Sequence, residues 1–194
     1  MTRPVLHTPR LVLVPAAPAD YERVRAHWAR DEVRRYLFDG REITPDVARP
    51  AFDRHAGVEG SAAAADGLGL WCLRRRDAAG APGEFVGLVG LVRIAGDEPE
   101  LLHSLEPEAW GRGLATEADR ALLDHAFDAL RLPRVLAGAD APNAASLRVL
   151  ARLGFGEPYE SPLPGVQYRQ LRREAWLAAR ASHAARRRGD ADAG

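Results

Sequence analysis

A glycine turn between a short strand and a long helix, in residues 100–130, restricts the fold of this chain more than any other feature. The strand covers residues 100–105 and is ended by Pro107. The helix, over about 114–130, is predicted from residues at helical spacing: Ala118, Leu122, Ala126 and Leu130. Because a helix with one apolar face must bury it against a sheet or another helix, this unit predicts a domain that combines helices with a sheet.

The turn itself suits the binding of an anion. The first amides of a helix point outward and carry partial positive charge, while Gly111, Gly113 and the small Ala115 let the backbone approach a pyrophosphate closely. Arg112 adds a charge at the rim. A plain tight turn explains such a Gly-x-Gly-x-Ala string about as often. A dinucleotide-binding turn is disfavoured, because it places its last small residue one position later and belongs to the first βαβ unit.

The rest of the chain alternates between apolar runs and helical patterns. Strands are predicted at residues 11–14, 68–74, 84–94, 135–139, 155–159 and 166–171. Two helices are predicted between the first and second of these strands, and another over 143–153, ended by Gly154. The alanine- and glycine-rich residues 60–67 are predicted to form a loop. The resulting order, β-α-α-β-β-β-α-β-α-β-β, needs crossover helices for only part of the sheet, so the sheet should be mixed.

The length of the chain predicts one domain, over residues 1–178. A chain of 194 residues offers room for one well-buried α/β core and for little more. Residues 179–194 are predicted to form a tail that is helical at first and frayed at its arginine-rich end.

Composition excludes several classes of function. The 27 basic residues balance the 27 acidic ones and the isoelectric point is near 7.0, so we expect no general attraction to nucleic acid or to an anionic membrane. Every basic residue is an arginine, which rules out a Gly-Lys-Ser/Thr phosphate loop and a lysine Schiff base. Cys72 is the only cysteine, which suits the reducing cytoplasm, and no apolar run reaches membrane-spanning length. The six histidines include no His-x-x-x-His pair, so we expect no metal site.

Four blocks of sequence together are more specific than any one of them. Residues 10–15 read Arg-Leu-Val-Leu-Val-Pro, and residues 105–118 read Leu-Glu-Pro-Glu-Ala-Trp-Gly-Arg-Gly-Leu-Ala-Thr-Glu-Ala. Asn143 and Ser146 precede a Leu-Gly-Phe at 153–155, and residues 171–176 read Leu-Arg-Arg-Glu-Ala-Trp. In this order, over most of the chain, the blocks resemble the GNAT acetyltransferase superfamily and, more narrowly, its RimJ/RimL-type branch.

The resemblance implies an α/β (α+β) fold whose mixed, mostly antiparallel sheet is splayed at its central strands and flanked by helices. It implies acetyl-CoA in the cleft between the strand ending at Leu105 and the strand over 135–139, with its pyrophosphate on the turn amides and its pantetheine and thioester facing Asn143 and Ser146. An N-cap role suits Asn143 equally well. The residues implied to bind acetyl-CoA are Leu105, Trp110, Gly111, Arg112, Gly113, Leu114, Ala115, Thr116, Asn143 and Ser146.

Transfer of an acyl group from a thioester to an amine needs a neutral amine, a stabilised oxyanion and a proton for the thiolate. Glu100 and His103 are candidate bases on the strand that enters the cleft, although alternation puts them on opposite faces. A strand-end surface acid and a partly buried strand histidine are the structural alternatives. Many relatives carry a tyrosine where this chain has Leu150, so Ser146 becomes the candidate to assist the thiolate, or a helix-capping serine. The Tyr-Trp pair common in the branch is replaced by His103 and Ser104.

We therefore predict an enzyme that moves an acetyl group from acetyl-CoA to a primary amine, by direct attack in a ternary complex. The amine would be a protein N-terminus or a small molecule. A non-catalytic acyl-CoA-binding sensor or interaction protein is the first alternative, and a nucleotide-binding redox protein is the second. The resemblance and the apolar terminal strands are compatible with a homodimer, and the predicted location is the cytoplasm.

Overall fold

The computed structural model describes residues 3–56, 66–94 and 96–192, and for Asp39 and residues 184–192 it describes the backbone alone. The loop predicted over residues 60–67 falls largely outside these ranges. None of the helices described has the length and apolar composition needed to cross a membrane.

One sheet organises the described residues, with eight strands in the order β1-β2-β3-β4-β5-β6-β8-β7. The strands are β1 Leu6–His7, β2 Leu11–Pro15, β3 Gly69–Arg76, β4 Pro82–Val92, β5 Glu100–Leu105, β6 Arg134–Asp140, β7 Glu157–Tyr159 and β8 Val166–Arg172. All neighbours pair antiparallel except β5 and β6, which are parallel. This confirms the mixed, mostly antiparallel sheet.

The sheet opens between β5 and β6. A single register pair, Glu100 with Leu136, joins the two strands, and the amide of Leu136 donates to the carbonyl of Pro99 at 2.9 Å. Beyond that pair, β5 continues to Leu105 and β6 to Asp140 without further pairing in the described residues. The opening between these two unpaired strand edges is called the cleft here, and it is the predicted splay.

Helices cover both faces of the sheet. They are α1 Tyr21–Ala29, α2 Asp31–Arg34, α3 Pro45–His55, α4 Leu114–Asp124, α5 Ala144–Leu153 and α6 Arg173–Asp192. A π-helical turn, His125–Ala129, continues α4. Buried residues of α1 and α3 form one core with the side chains of one sheet face, while those of α4, α5 and α6 form a second core on the other face.

Period-two alternation along β5 presents its side chains to both cores. Leu101 and Leu105 pack in the core under α4, whereas Leu102 packs against the core under α1. The same alternation turns His103 toward α4 and Ser104 toward α1, where each contacts a helix residue. Strand β5 therefore delivers polar groups to both sides of the cleft.

The strongly patterned elements appear where the sequence predicts them, with bounds that differ by up to about two residues. Two short elements, β1 and α2, were not predicted, since two and four residues are too few to show a periodicity. The backbone of the tail is helical to Asp192, beyond the point where we predicted fraying.

Cys72 lies on β3 in the core under α1 and is 1% exposed. Burial raises the pKa of its thiol to about 12. The side chain therefore behaves as a small apolar core residue.

Candidate active site

The turn that leads into α4 is built from two left-handed glycines. Gly111 has φ 71° and Gly113, the N-cap of the helix, has φ 73°. A Cβ on Gly111 would meet nothing within 4 Å, so the backbone conformation rather than crowding requires glycine here. The first helical bond runs from the amide of Glu117 to the carbonyl of Gly113 at 3.1 Å, which leaves the amides of residues 114–116 pointing out of the helix end. An anion fits this open concave backbone.

Glu117 ties the turn to the start of β2. Its carboxylate accepts hydrogen bonds from the Thr8 hydroxyl at 2.6 Å and from the Arg10 amide at 2.9 Å, and the Arg10 guanidinium lies 2.6 Å away. Burial acts to raise the pKa of Glu117, but these donors outweigh it and hold the pKa below its usual range. Arg10 Nη1 also donates to the Arg112 carbonyl at 2.9 Å. The turn is thus held in shape from outside the helix.

Trp110 folds back over the end of β5. Its indole Nε1 donates to the carbonyl of Leu105 at 2.7 Å, while 49% of the residue remains exposed. The side chain fixes the distance between the strand end and the glycine turn, and it leaves an aromatic surface beside the turn.

On the α4 side of the cleft, three residues form a chain. His103 Nδ1 lies 2.8 Å from Oδ2 of Asp119, a residue with no solvent exposure, and His103 Nε2 lies 3.4 Å from the Ser146 hydroxyl. Burial acts to lower the pKa of His103, but the Asp119 carboxylate outweighs it, so the pKa of His103 is raised. Burial also raises the pKa of Asp119, against the opposing effect of His103.

On the α1 side, Ser104 begins a second chain. Its hydroxyl lies 2.7 Å from Nε2 of His27, whose Nδ1 lies 3.2 Å from Oε1 of Glu106. The other oxygen of Glu106 accepts from Arg30 at 2.7 Å. Burial lowers the pKa of His27, and Arg30 adds to this effect, while Glu106 opposes both without reversing them.

Glu100 lies on the same face as Ser104, at the closed end of the cleft. It is 3% exposed, and its Oε2 accepts a hydrogen bond from the Tyr168 hydroxyl at 2.9 Å. Burial and the neighbouring carboxylate raise the pKa of Tyr168. A side chain on Gly138, opposite Tyr168 in the register, would approach the tyrosine ring to 2.9 Å, so this glycine makes room for the ring.

Asn143 is the N-cap of α5, where its side-chain oxygen accepts from the Ser146 amide at 3.2 Å. The cap leaves the Ser146 hydroxyl directed toward His103. Of the sequence candidates, the structure therefore joins His103 with Ser146 and places Glu100 on the opposite face, as strand alternation requires.

Sequence reasoning missed three charged or titratable partners, Asp119, His27 and Glu106. A signal existed for two of them. Asp119 lies within the apolar stripe of α4, and His27 is beside Trp28 on the buried face of α1. A polar residue on an apolar helical face needs a buried partner.

In the part of the chain that the structure describes, no group of three or more histidine, cysteine, aspartate or glutamate side chains is placed to hold a metal ion.

The sheet opens between two parallel strands, and the N terminus of a helix lies at the opening. This arrangement suits a long thioester that lies between the strand edges, with its diphosphate on the helix amides. The class of protein with this architecture transfers acyl groups from coenzyme A. Residues 10–156 match the family model for the acetyltransferase (GNAT) domain, so the chain belongs to the GNAT acetyltransferase family. It is an acetyl-CoA-dependent N-acetyltransferase.

Individual relatives agree with this assignment. The chain is similar to the FsC-acetyl coenzyme A-N(2)-transacetylase of Aspergillus fumigatus, with 30% identity covering 90% of this chain and 79% of the relative. It is also similar to the crystal structure of an acetyltransferase from Agrobacterium tumefaciens, with a TM-score of 0.74 and 26% identity over 88% of this chain and 95% of the other.

A third neighbour shares the fold. It is the spermidine N-acetyltransferase of Vibrio cholerae, solved in complex with CoA and spermine, with a TM-score of 0.66 and 18% identity over 88% of this chain and 99% of the other. The fold that the resemblance implied is thereby confirmed.

Proposed function

We propose that the protein acetylates a primary amine by direct attack of the amine on acetyl-CoA in a ternary complex. The observation that carries this proposal is the chain Ser146–His103–Asp119 at the unpaired edge of β5, beside the place where a thioester would lie. Asp119 raises the pKa of His103 and so favours its protonated form, which suits a proton donor better than the base that the sequence suggested. The Ser146 hydroxyl would protonate the departing thiolate, and His103 would donate a proton to the Ser146 oxygen in its place.

The donor site follows from the turn. The pyrophosphate of acetyl-CoA would lie on the backbone of residues 111–116, from Gly111 to Thr116, with Arg112 at the rim. The pantetheine would follow the free edge of β5 past Leu105, under the indole of Trp110. Asn143 would act through the cap that orients Ser146. This proposal is supported by the open left-handed turn and by the unpaired strand edge.

The acceptor we favour is a small-molecule primary amine, with a protein N-terminus as the alternative that a RimJ/RimL-type enzyme would use. The name of the Aspergillus relative specifies acetylation at a nitrogen, and the Vibrio structure contains a polyamine. We further propose that the protein acts in the cytoplasm, as a monomer or a homodimer, without nucleic acid or membrane.

The test is release of free CoA thiol from acetyl-CoA with spermidine, with ethylamine and with a short peptide bearing a free N-terminus. Turnover should appear with at least one small amine. Activity with the peptide alone would assign the protein to the N-terminal acetylating branch.

The non-catalytic alternative rests on Leu150, which replaces the phenol of many relatives and is buried. A sensor would show a thermal shift with acetyl-CoA and no thiol release with any amine. A Ser146→Ala variant separates the two functions further, because it should lower turnover by roughly 100-fold in an enzyme while leaving acetyl-CoA binding intact.

A further inference from the structure

A thioester lying between β5 and β6 would be accessible from both faces of the sheet. Because β5 and β6 share one register pair, the edge of β5 beyond Glu100 is open, and His103 and Ser104 flank it from opposite sides. The α4 side is already occupied by the groups that would protonate the thiolate. The amine must reach the same carbonyl carbon, and the α1 side offers it a second set of groups.

The hydrogen positions on the α1 side follow from the partners of His27. No hydrogen bond joins Nδ1 of His27 to Glu106, but the Glu106 carboxylate oxygen lies 3.2 Å away and can only accept, so its charge favours the tautomer that carries the proton on Nδ1. Its Nε2 then has a free electron pair, which accepts the hydroxyl proton of Ser104. The serine oxygen is left as an acceptor at the edge of the cleft.

The surroundings of His27 favour the neutral form of the ring. Its side chain has no solvent exposure, and the ring of Phe85 on β4 meets it edge-on at 5.7 Å between centroids. Glu106 divides its charge between His27 and Arg30, so it cannot fully stabilise an imidazolium. Burial therefore dominates and the pKa of His27 is lowered.

Beyond Glu106, a surface cavity of about 510 Å³ connects this chain with solvent. Further charges of both signs line it, namely Arg23, Arg75, Arg112, Glu84 and Glu108. Because charges of both signs line the cavity, they favour neither the charged nor the neutral form of His27 strongly. The cavity also offers an exit for a proton.

We propose that Ser104, backed by His27 and Glu106, removes the proton that an ammonium acceptor must lose before it attacks acetyl-CoA. This inference rests on the proposed acetyl transfer and adds a route for one proton. The N–H bond of the ammonium breaks with its electron pair remaining on nitrogen, the proton moves to Ser104 Oγ, and the serine hydroxyl proton moves to Nε2 of His27. The imidazolium pairs with Glu106 and loses its Nδ1 proton to the cavity, and a further proton exchange with solvent returns the remaining proton from Nε2 to Nδ1 before the next turnover. Ser104 contacts the substrate, and His27 is the positioning residue behind it.

The experiment measures kcat/KM against pH with the best acceptor of the amine panel, using thiol release as the assay. It compares the wild type with Ser104→Ala and His27→Gln. In the wild type, kcat/KM should level off once His27 is neutral. Without the relay only amine that is already neutral reacts, so kcat/KM should fall by about 100-fold near pH 7 and rise about tenfold per pH unit. Ser104→Thr keeps the hydroxyl and should recover most of the activity.

The matched control is His125→Gln. His125 is also a histidine whose pKa burial lowers, but it packs edge-on against Trp71 behind α4 and does not reach the cleft. Its replacement should leave the profile unchanged. Thermal shift with acetyl-CoA shows that each variant is folded and binds the donor.

The outcomes are distinguishable. If the wild type releases no thiol with any amine, the acetyl transfer and the relay both fail. If the wild type is active and Ser104→Ala keeps its rate and its profile, the relay alone is overturned. The same holds if Ser104→Ala lowers kcat/KM equally at every pH, because a purely structural defect has that signature.

Discussion

On each face of β5 a serine, a histidine and a carboxylate form a chain, but the pKa values of the two histidines are shifted in opposite directions. On the α4 face His103 contacts a carboxylate that, among the charged groups described, interacts with it alone. On the α1 face His27 contacts a carboxylate that also binds Arg30. The first histidine has a raised pKa and the second a lowered one. A carboxylate stabilises an imidazolium less when a second cation also pairs with that carboxylate.

That difference suits the reaction. Acyl transfer needs one group that gives a proton and another that takes one, and two histidines with pKa values displaced in opposite directions can do both at a single pH. Strand β5 carries His103 on one side of the cleft and Ser104, which contacts His27, on the other side, so neither histidine has to change its role during the cycle.

Replacement of Asp119 by asparagine should give the largest effect, because it removes the carboxylate charge that distinguishes His103 from His27. The amide keeps the shape but removes the charge that raises the pKa of His103, so His103 loses its proton at lower pH. We expect kcat to fall by about 100-fold at pH values near 8, and its alkaline decline to move to lower pH. The measurement is kcat against pH by thiol release.

The control for this variant lies on the same helix. Asp124 accepts from the indole of Trp176 at 3.0 Å and pairs with Arg180, away from the cleft. Asp124→Asn should keep the wild-type pH profile. An Asp119→Asn enzyme with unaltered kcat and profile would show that His103 has only a structural role.

The Tyr168→Phe variant tests how much a neutral hydrogen-bond donor, the Tyr168 hydroxyl, stabilises the buried carboxylate of Glu100. It removes one donor to the buried Glu100, and a buried carboxylate that loses a donor costs about 1–3 kcal/mol of unfolding free energy. Urea unfolding at neutral pH measures this, and Tyr159→Phe, on the edge strand β7, serves as the control. An unchanged midpoint would mean that the other contacts of Glu100 compensate.

Arg30→Gln removes the cation that shares Glu106 with His27 on the α1 face. With Arg30 gone, Glu106 acts on His27 alone, so the pKa of His27 should rise toward that of His103. Because the relay needs a neutral His27, the acidic decline of kcat/KM should move to higher pH, with a loss of roughly tenfold at about pH 6 for each unit gained. Little should change at alkaline pH.

Arg49→Gln, which removes an exposed pair with Asp53 on α3, is the control for that shift. A movement of the decline to lower pH in Arg30→Gln would contradict the account of how Arg30 acts.

The smallest effect is expected for Glu108→Gln. Glu108 pairs with Arg30 at 2.8 Å, but its side chain is 69% exposed, and exposed ion pairs contribute little. The change should leave kcat/KM within about twofold at neutral pH, with at most a slight shift of the acidic decline toward lower pH, since Arg30 is then left to Glu106. A large effect would mean that the guanidinium needs both glutamates to hold its position.

The fold was predictable because its long elements have clear periods. Strand β5 and helix α4 follow directly from alternation and helical spacing, and the glycine turn between them needs φ values that favour glycine. The splay of the sheet was expected from family resemblance only, since a missing register between β5 and β6 leaves no mark in either strand.

The candidate site was predictable only in part. His103 and Ser146 stand in motifs, and their contact depends on which face α5 covers. The partner of Ser104 lies 77 residues away on α1, and no spacing rule connects them. Local patterns state which side chains are buried, whereas tertiary packing decides which of the buried side chains meet.

The burial of Cys72 has a practical consequence for the chemistry of thiols. A thiol with a pKa near 12 and almost no solvent exposure forms very little thiolate at neutral pH. Disulfide reagents and alkylating agents should therefore not react with Cys72 in the folded protein. No other cysteine is present in the chain. Each equivalent of thiol that appears during turnover is therefore coenzyme A, and the native enzyme contributes no background to the signal that counts its own product.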